Sequence, residues 1–277
     1  MNLSDIGPVV LVGAGKMGLA LARGWIAGGL PADRLVLCDP QPSEFATQFA
    51  AEHGIRLQAS PIGVLTHVLV LAVKPQVIYE VMAEIQPIVG SYTLVLSIAA
   101  GIRGTDLSRW LGGYGAIVRT MPNTPALIGQ GITGMVAMAG VSDAQKQAAD
   151  SILRAVGKTV WLDSEDAIDP VTAVSGSGPA YVFFFLEAMQ QAAVEMGLSS
   201  EQGRELAIAT FTGAAQLAAQ SDEPAEVLRQ RVTSKGGTTH AAIVSMEAAG
   251  VKQAIVTAMK AAAARGRALG EELGRDS

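Results

Sequence analysis

Short runs of continuous apolar residues alternate with longer amphipathic stretches over the first part of the chain. Val9-Val10-Leu11-Val12, Leu35-Val36-Leu37-Cys38, His67 to Val73 and Thr93 to Ile98 read as strands buried on both faces. Between them, Met17 to Ala27, Ser43 to His53 and Gln76 to Ile85 carry helical periodicity, and Gly28-Gly29 and Gly54 stop the first two. Unbroken apolar strands separated by helices predict a parallel sheet covered on both faces.

The pattern changes after Trp161. Pro170 to Pro179 is rich in Ser and Gly, and beyond it the apolar positions fall on alanine-rich helices. These are Ala180 to Met196, closed by Gly197, then Ser200 to Ala219, Thr239 to Ala249, closed by Gly250, and Lys252 to Leu269. No strand pattern, internal repeat or low-complexity tract is evident there. The reading is an α/β doubly wound sheet over residues 1–163, followed by an all-α domain over 164–277, with the junction between Leu162 and Asp169. Alanine-rich helices approach closely but bury little area each, at about 25 cal/mol per Å² of apolar surface. Packing against a second copy is expected to supply the missing burial, so the chain is expected to form a homodimer or a higher homo-oligomer.

Composition narrows the function classes. With 49% hydrophobic and 16% charged residues, the chain has the material for packed cores and is not a disordered segment. Its net charge of −5 leaves no basic excess for phosphates, which argues against a nucleic-acid partner. The most apolar run, Tyr181 to Leu186, ends at Glu187, far short of the roughly 20 residues a membrane-spanning helix needs. Met1 to Pro8 contains Asp5 and no basic cluster, so a cytoplasmic location and no membrane partner are expected. One cysteine, Cys38, and three histidines make an internal disulfide impossible and a metal site improbable on composition.

The candidate chemistry starts at Gly13-Ala14-Gly15-Lys16-Met17-Gly18. A G-x-G-x-x-G run is weak alone, but this one follows a strand directly and opens a helix. Gly13 permits the tight turn, Gly15 admits the pyrophosphate to the backbone, and Gly18 allows close packing of the helix. The helix N-terminus adds free N–H groups and a positive dipole end. This is the signature of a Rossmann-like dinucleotide site. Asp39 ends the second strand, where an acidic residue holds the adenosine ribose of NAD and repels the extra phosphate of NADP. Gln41, Ser43 and Arg34 stand close enough in sequence to bind that phosphate if Asp39 points away, and a turn role for Asp39-Pro40 is a third possibility. NADPH and NADH are therefore both open. Ala72-Val73-Lys74-Pro75 and Ser97-Ile98-Ala99-Ala100-Gly101 close two further strands and are expected to line the cofactor groove. Lys74 faces either a ligand or solvent, and Ala99 is small enough to let the nicotinamide end pass.

A second anion site is expected in the helical half. Val232-Thr233-Ser234-Lys235-Gly236-Gly237-Thr238-Thr239-His240 puts two glycines and several hydroxyls before a helix, where N–H groups converge on a carboxylate. Ordinary N-capping by Thr238 or Thr239 is the plainer explanation of the same residues.

Leu228, Val232 and Thr233-Ser234-Lys235-Gly236-Gly237-Thr238-Thr239, with Glu247, resemble the signature of the pyrroline-5-carboxylate reductases. The resemblance extends to Ala72 to Gln76, Arg119 to Pro125 and Ser175 to Tyr181, and so covers essentially the whole chain. It implies reduction of the C=N bond of 1-pyrroline-5-carboxylate by NADPH or NADH, the last step of proline biosynthesis, in a chain whose helical domain dimerises. It implies that Ser234, Gly236, Gly237, Thr238 and Thr239 hold the substrate carboxylate, with the Thr239 hydroxyl on the ring nitrogen as the catalytic contact. Lys235 departs from the proline usual in that family. Asp222 and Glu223 are candidates for the acidic residue often found before Pro224. A protonated cyclic imine is already electrophilic, so the reaction asks for positioning more than for acid–base groups. The alternatives are a related NAD(P)-dependent hydroxyacid dehydrogenase and a non-catalytic dinucleotide-binding sensor. The first wants a lysine or histidine on the helix from Ala180, which offers Glu187 but neither of those; the second has no use for another anion site.

Overall fold

The computed structural model describes residues 1–275. Two compact units make up the chain: Met1–Ser177 together with the C-terminal stretch from Ala262, and Gly178–Ala261.

The first unit is built on an eight-stranded sheet. Its strands are β1 (Val9–Val12), β2 (Leu35–Cys38), β3 (Arg56–Gln58), β4 (Val68–Leu71), β5 (Leu94–Ser97), β6 (Ile117–Met121), β7 (Gly131–Ala137) and β8 (Gly157–Trp161). They lie in the order β3-β2-β1-β4-β5-β6-β7-β8. The helices of this unit are α1 (Lys16–Ala27), α2 (Glu44–His53), α3 (Ile78–Ile85), α4 (Gly104–Trp110), α5 (Asp143–Arg154) and the single turn α6 (Ile168–Val171). All pairings are parallel except that between β6 and β7. The segment Pro122 to Gln130 joining those two is too short for the crossover of a dozen or more residues that a parallel return requires. The helix α5 then supplies such a crossover, and β8 pairs parallel to β7.

Alternation along the apolar runs explains why helices cover both faces. Val9, Leu11, Leu35, Leu37, Val68 and Val70 belong to one core, with Trp25 and Ile152. Val10, Val12, Val36, Cys38, Leu69 and Leu71 belong to a second core, with Ile78 and Met82. The fully buried Trp25 donates its indole N–H to the Ile152 carbonyl at 2.8 Å, so even its polar atom is satisfied. Helix ends follow the punctuation in the sequence. Ser43 caps α2 by accepting the Ala46 N–H, and Gly54 closes it at φ 66°, a left-handed position that favours glycine.

Cys38 lies in the second core, and burial pushes its thiol up to about 12. It stays protonated near neutral pH and is a poor nucleophile. The folded protein is therefore expected to resist a thiol reagent at pH 8 and to release one reactive thiol per chain only on unfolding. Fast labelling of the native state would contradict this.

The second unit is helical: α7 (Gly178–Glu195), α8 (Ser200–Ala219), α9 (Ala225–Arg231), α10 (Thr238–Ala248) and the first part of α11 (Val251–Leu273). Only Ala193, Gly203 and Ala207 are buried among its residues. Phe183, Phe184, Leu206, Leu217 and Val244 are exposed. No single helix among the described residues is long and apolar enough to cross a membrane.

Candidate active site

The glycine loop stands at the end of β1, where the strand order reverses between β2 and β4. This is the crevice in which open α/β sheets bind ligands. Gly13 has φ +98°, and a Cβ on it would lie 2.6 Å from the Ala72 carbonyl oxygen and 2.9 Å from the Val73 nitrogen. The loop thus rests directly on the end of β4. At Gly18 a Cβ would come within 2.2 Å of the Gly13 carbonyl oxygen, so a side chain there would pry α1 off its own loop. Gly15 is different. A Cβ there meets nothing within 4 Å, and Gly15 is the N-cap of α1 with no side chain satisfying the first turn. Open space in front of free helix N–H groups fits a pyrophosphate. Leu19 is the first residue to donate back into the helix, to Gly15 at 2.9 Å.

A groove of about 520 Å³ runs along this lip, lined by Gly15, Lys16, Arg23, Asp39, Gln41 and Ser43, with exposed Phe45 and Leu127 supplying apolar wall. Lys16 and Met17 form the first turn of α1. Asp39 does not stand free in the groove. Its Oδ2 accepts the Ala14 N–H and its Oδ1 the Gln41 N–H, each at 2.9 Å. Of the three roles open to it from sequence, this contact pattern fits a turn role, extended to the glycine loop. Arg34 is turned elsewhere, donating to the Ser4 carbonyl.

Ala72 donates to the Val12 carbonyl at 2.7 Å, tying β4 to β1 beside the loop. Lys74 is exposed and precedes the turn Pro75–Val77, whose last N–H it accepts. Ala99 is buried, its N–H donating to the Ser97 hydroxyl.

Sequence reasoning missed a pair of polar clamps on β6 and the loop after it. Arg119 sits in the middle of a fully buried strand, and its guanidinium pairs with Glu165 at 3.1 Å. The same carboxylate accepts the Gly104 N–H at the start of α4. Asn123, also buried, accepts the Ile132 N–H and donates to the Ser175 hydroxyl. One signal was available: a cation inside an apolar strand pattern asks for a buried partner.

In the second unit the predicted anion loop opens α10. Gly236 has φ +75°, and the N-cap is Gly237, with no side-chain hydrogen bond at the cap. Neither Thr238 nor Thr239 is the capping residue; both lie inside the first turn. Their hydroxyls are exposed, and none of the hydrogen bonds among the described residues uses the N–H of Thr238, Thr239 or His240. Ser234 leans over the loop, since a Cβ on Gly237 would lie 2.7 Å from its hydroxyl. Thr233 donates to the Arg229 carbonyl and closes α9. Glu223 pairs with Arg231 at 2.6 Å. His240 is exposed on the first turn of α10 and is not the capping residue.

The same unit carries an apolar groove of about 410 Å³ lined by Tyr181, Phe184, Phe185, Val251, Ile255 and Met259. The Tyr181 hydroxyl is buried, with no hydrogen-bond partner among the described residues.

Residues 165–269 match the family described as pyrroline-5-carboxylate reductase dimerisation, and residues 8–101 match the family described as NADP oxidoreductase, coenzyme F420-dependent. The pyrroline-5-carboxylate reductase of Pseudomonas aeruginosa is 44% identical, over 96% of this chain and 98% of the relative. The solved structure of the enzyme from Coxiella burnetii superposes with a TM-score of 0.88 at 36% identity, covering 96% of this chain and 99% of that one. That of the Plasmodium falciparum pyrroline carboxylate reductase, with NADP bound, gives 0.85 at 29% identity, covering 96% and 99%. With relatives this similar along almost its full length, the chain belongs to the pyrroline-5-carboxylate reductase family.

Proposed function

We propose that the chain reduces the C=N bond of 1-pyrroline-5-carboxylate with NADPH or NADH, giving L-proline, and that its two anion-binding helix starts divide the work. Residues 1–163 form the dinucleotide half and residues 164–277 the substrate-binding and dimerising half in this reading. The observation that carries it is a pair of helix starts in one chain whose N-cap is a glycine with no side-chain hydrogen bond. One is a glycine cradle at Gly15. The other is a hydroxyl-bearing turn at Thr238–His240.

Gly13, Ala14, Gly15 and the first turn of α1 would hold the pyrophosphate, with Asp39, Ala72, Val73, Lys74, Pro75 and Ala99 around the cofactor. When bound, the reduced nicotinamide supplies a hydride. The substrate carboxylate would take the free N–H groups of Thr238 and Thr239, with Gly236 and Gly237 shaping the turn and the Ser234 hydroxyl beside it, a fit to charge and dipole alike. The Thr239 hydroxyl would hold the ring nitrogen and orient the iminium. The imine carbon gains two electrons, and the protonated nitrogen becomes a secondary amine. No buried acid or base is required, because positioning alone contributes roughly 7–11 kcal/mol to such a step. Purified protein given 1-pyrroline-5-carboxylate should oxidise NADPH or NADH in proportion to the proline formed. Turnover with hydroxyacids instead, or dinucleotide binding without turnover, would replace this reading with one of the two alternatives.

The apolar faces of α7, α8 and α11 are the surface on which we place the second copy. A unit with three buried residues and a row of exposed Phe, Leu and Val side chains cannot stand in water as it is. Phe184→Glu is expected to convert the oligomer to a smaller species in light scattering, with loss of activity. An unchanged mass would move the interface elsewhere.

A further inference from the structure

Asp39 is where the architecture and the usual expectation for cofactor choice part company. The glycine loop is held to the end of β2 twice: the Gly13 N–H donates to the Cys38 carbonyl at 2.8 Å, and the Ala14 N–H donates to Asp39 Oδ2 at 2.9 Å. Asp39 is itself anchored from the far side, its N–H donating to the Gln58 carbonyl at 3.0 Å. Its second oxygen holds the Gln41 N–H. Three segments of chain, from β1, β2 and β3, therefore meet on one residue at the lip of the groove.

A carboxylate that reads ribose hydroxyls and rejects a 2′-phosphate does so with charge that faces the groove uncompensated. Here two backbone donors already share that charge. The other ionisable side chains lining the groove are Lys16 and Arg23, two cations against one carboxylate. Neither is paired with Asp39 among the described residues, and the Arg23 guanidinium lies over the Phe49 ring at 5.7 Å. The groove as a whole does not repel an added phosphate.

We propose that Asp39 is a positioning residue that sets the shape of the dinucleotide cradle and does not choose between NADPH and NADH. The proposal rests on the assignment of the glycine loop as the cofactor site. Asp39→Asn keeps the size of the side chain but turns an amide NH2 toward one of two N–H donors. The dissociation constants of NADPH and NADH, measured by fluorescence titration, should then both rise by about tenfold or more, as expected for loss of a charge-assisted hydrogen bond. Their ratio should stay within about threefold of the wild-type value, well under the tenfold that a discriminating contact commands. Amide hydrogen exchange at residues 13–18 of the cofactor-free protein should quicken, while β4 and β5 keep their protection and show that the variant is folded. A ratio that moves by about tenfold, with NADPH gaining, overturns the proposal; so does loop exchange that does not change.

A measurement on the wild type alone guards against a variant that misfolds. Adenosine 2′,5′-bisphosphate should compete for the site at least as well as adenosine 5′-monophosphate, and a clear loss on adding the 2′-phosphate overturns the proposal. Failure of the wild type to bind either dinucleotide would be seen first, and it removes the cofactor assignment and this inference with it.

Discussion

Gly18→Ala is expected to abolish dinucleotide binding and to destabilise the protein, whereas Gly15→Ala should abolish only the binding. The two glycines sit three residues apart and face opposite things. The added methyl at position 18 would lie 2.2 Å from the Gly13 carbonyl oxygen, a backbone atom that cannot rotate aside, and 3.4 Å from the Ala72 Cβ. To relieve that overlap α1 must shift away from its loop, and the free N–H groups at its start shift with it. Overpacking of this kind costs about 3 kcal/mol, a large part of a domain's total stability. At position 15 the same methyl meets no atom within 4 Å. It would enter the space assigned to the pyrophosphate while leaving the cofactor-free fold untouched. Thermal melts with and without NADPH separate the two cases. A Gly15→Ala protein that binds NADPH normally would show that the phosphates lie elsewhere.

Thr239→Ala should lower turnover by about 10²-fold, the scale on which a misplaced substrate penalises a positioned reaction. The side chain is exposed on the first turn of α10 and caps nothing, so its removal leaves no unsatisfied polar group inside the protein. Alanine is also the better helix former, and the melting temperature should hold or rise slightly. Cofactor affinity should be unchanged, because the residues assigned to the dinucleotide belong to the other unit. Thr239→Ser keeps the hydroxyl and should recover most of the rate. Full activity in Thr239→Ala would remove this residue from the reaction and leave the carboxylate-binding backbone to position the ring alone.

Much of the first unit was legible from hydrophobicity. Val9–Val12 and Leu35–Cys38 are strands residue for residue as the apolar runs mark them, since both faces of those strands are covered. The longer runs overshoot: His67 and Val73 lie outside β4, although the His67 N–H still donates to the Pro8 carbonyl. The sheet margins were opaque. Arg56-Leu57-Gln58 and the mixed stretch Gly157–Trp161 are edge strands in contact with solvent, and neither shows an apolar run. β6 was hidden by Arg119, whose charge is tolerated only because Glu165 meets it from far along the chain. The short α9 also escaped notice, since Val227 and Leu228 are its only larger apolar residues.

The site divides in the same way. The glycine loop could be read because Gly13 and Gly18 answer local steric demands and Gly15 leaves the space before the helix open. The role of Asp39 could not, since one of its partners is a backbone N–H 25 positions earlier. At the loop before α10, sequence alone could not say whether Thr238 or Thr239 takes the N-cap. Gly237 takes it, which leaves the Thr238 and Thr239 hydroxyls exposed for other contacts. Glu223 pairs with Arg231, a partner that sequence spacing does not single out.

The central claim is that hydride passes from the nicotinamide to the imine carbon of a five-membered ring. The most direct test is to supply 1-pyrroline-5-carboxylate with NADPH or NADH deuterated at the transferring position and to analyse the product. One deuterium at C5 of L-proline, formed in step with cofactor oxidation and depleted with Thr239→Ala, is the predicted result. Unlabelled proline, or oxidised cofactor with no proline, would contradict it.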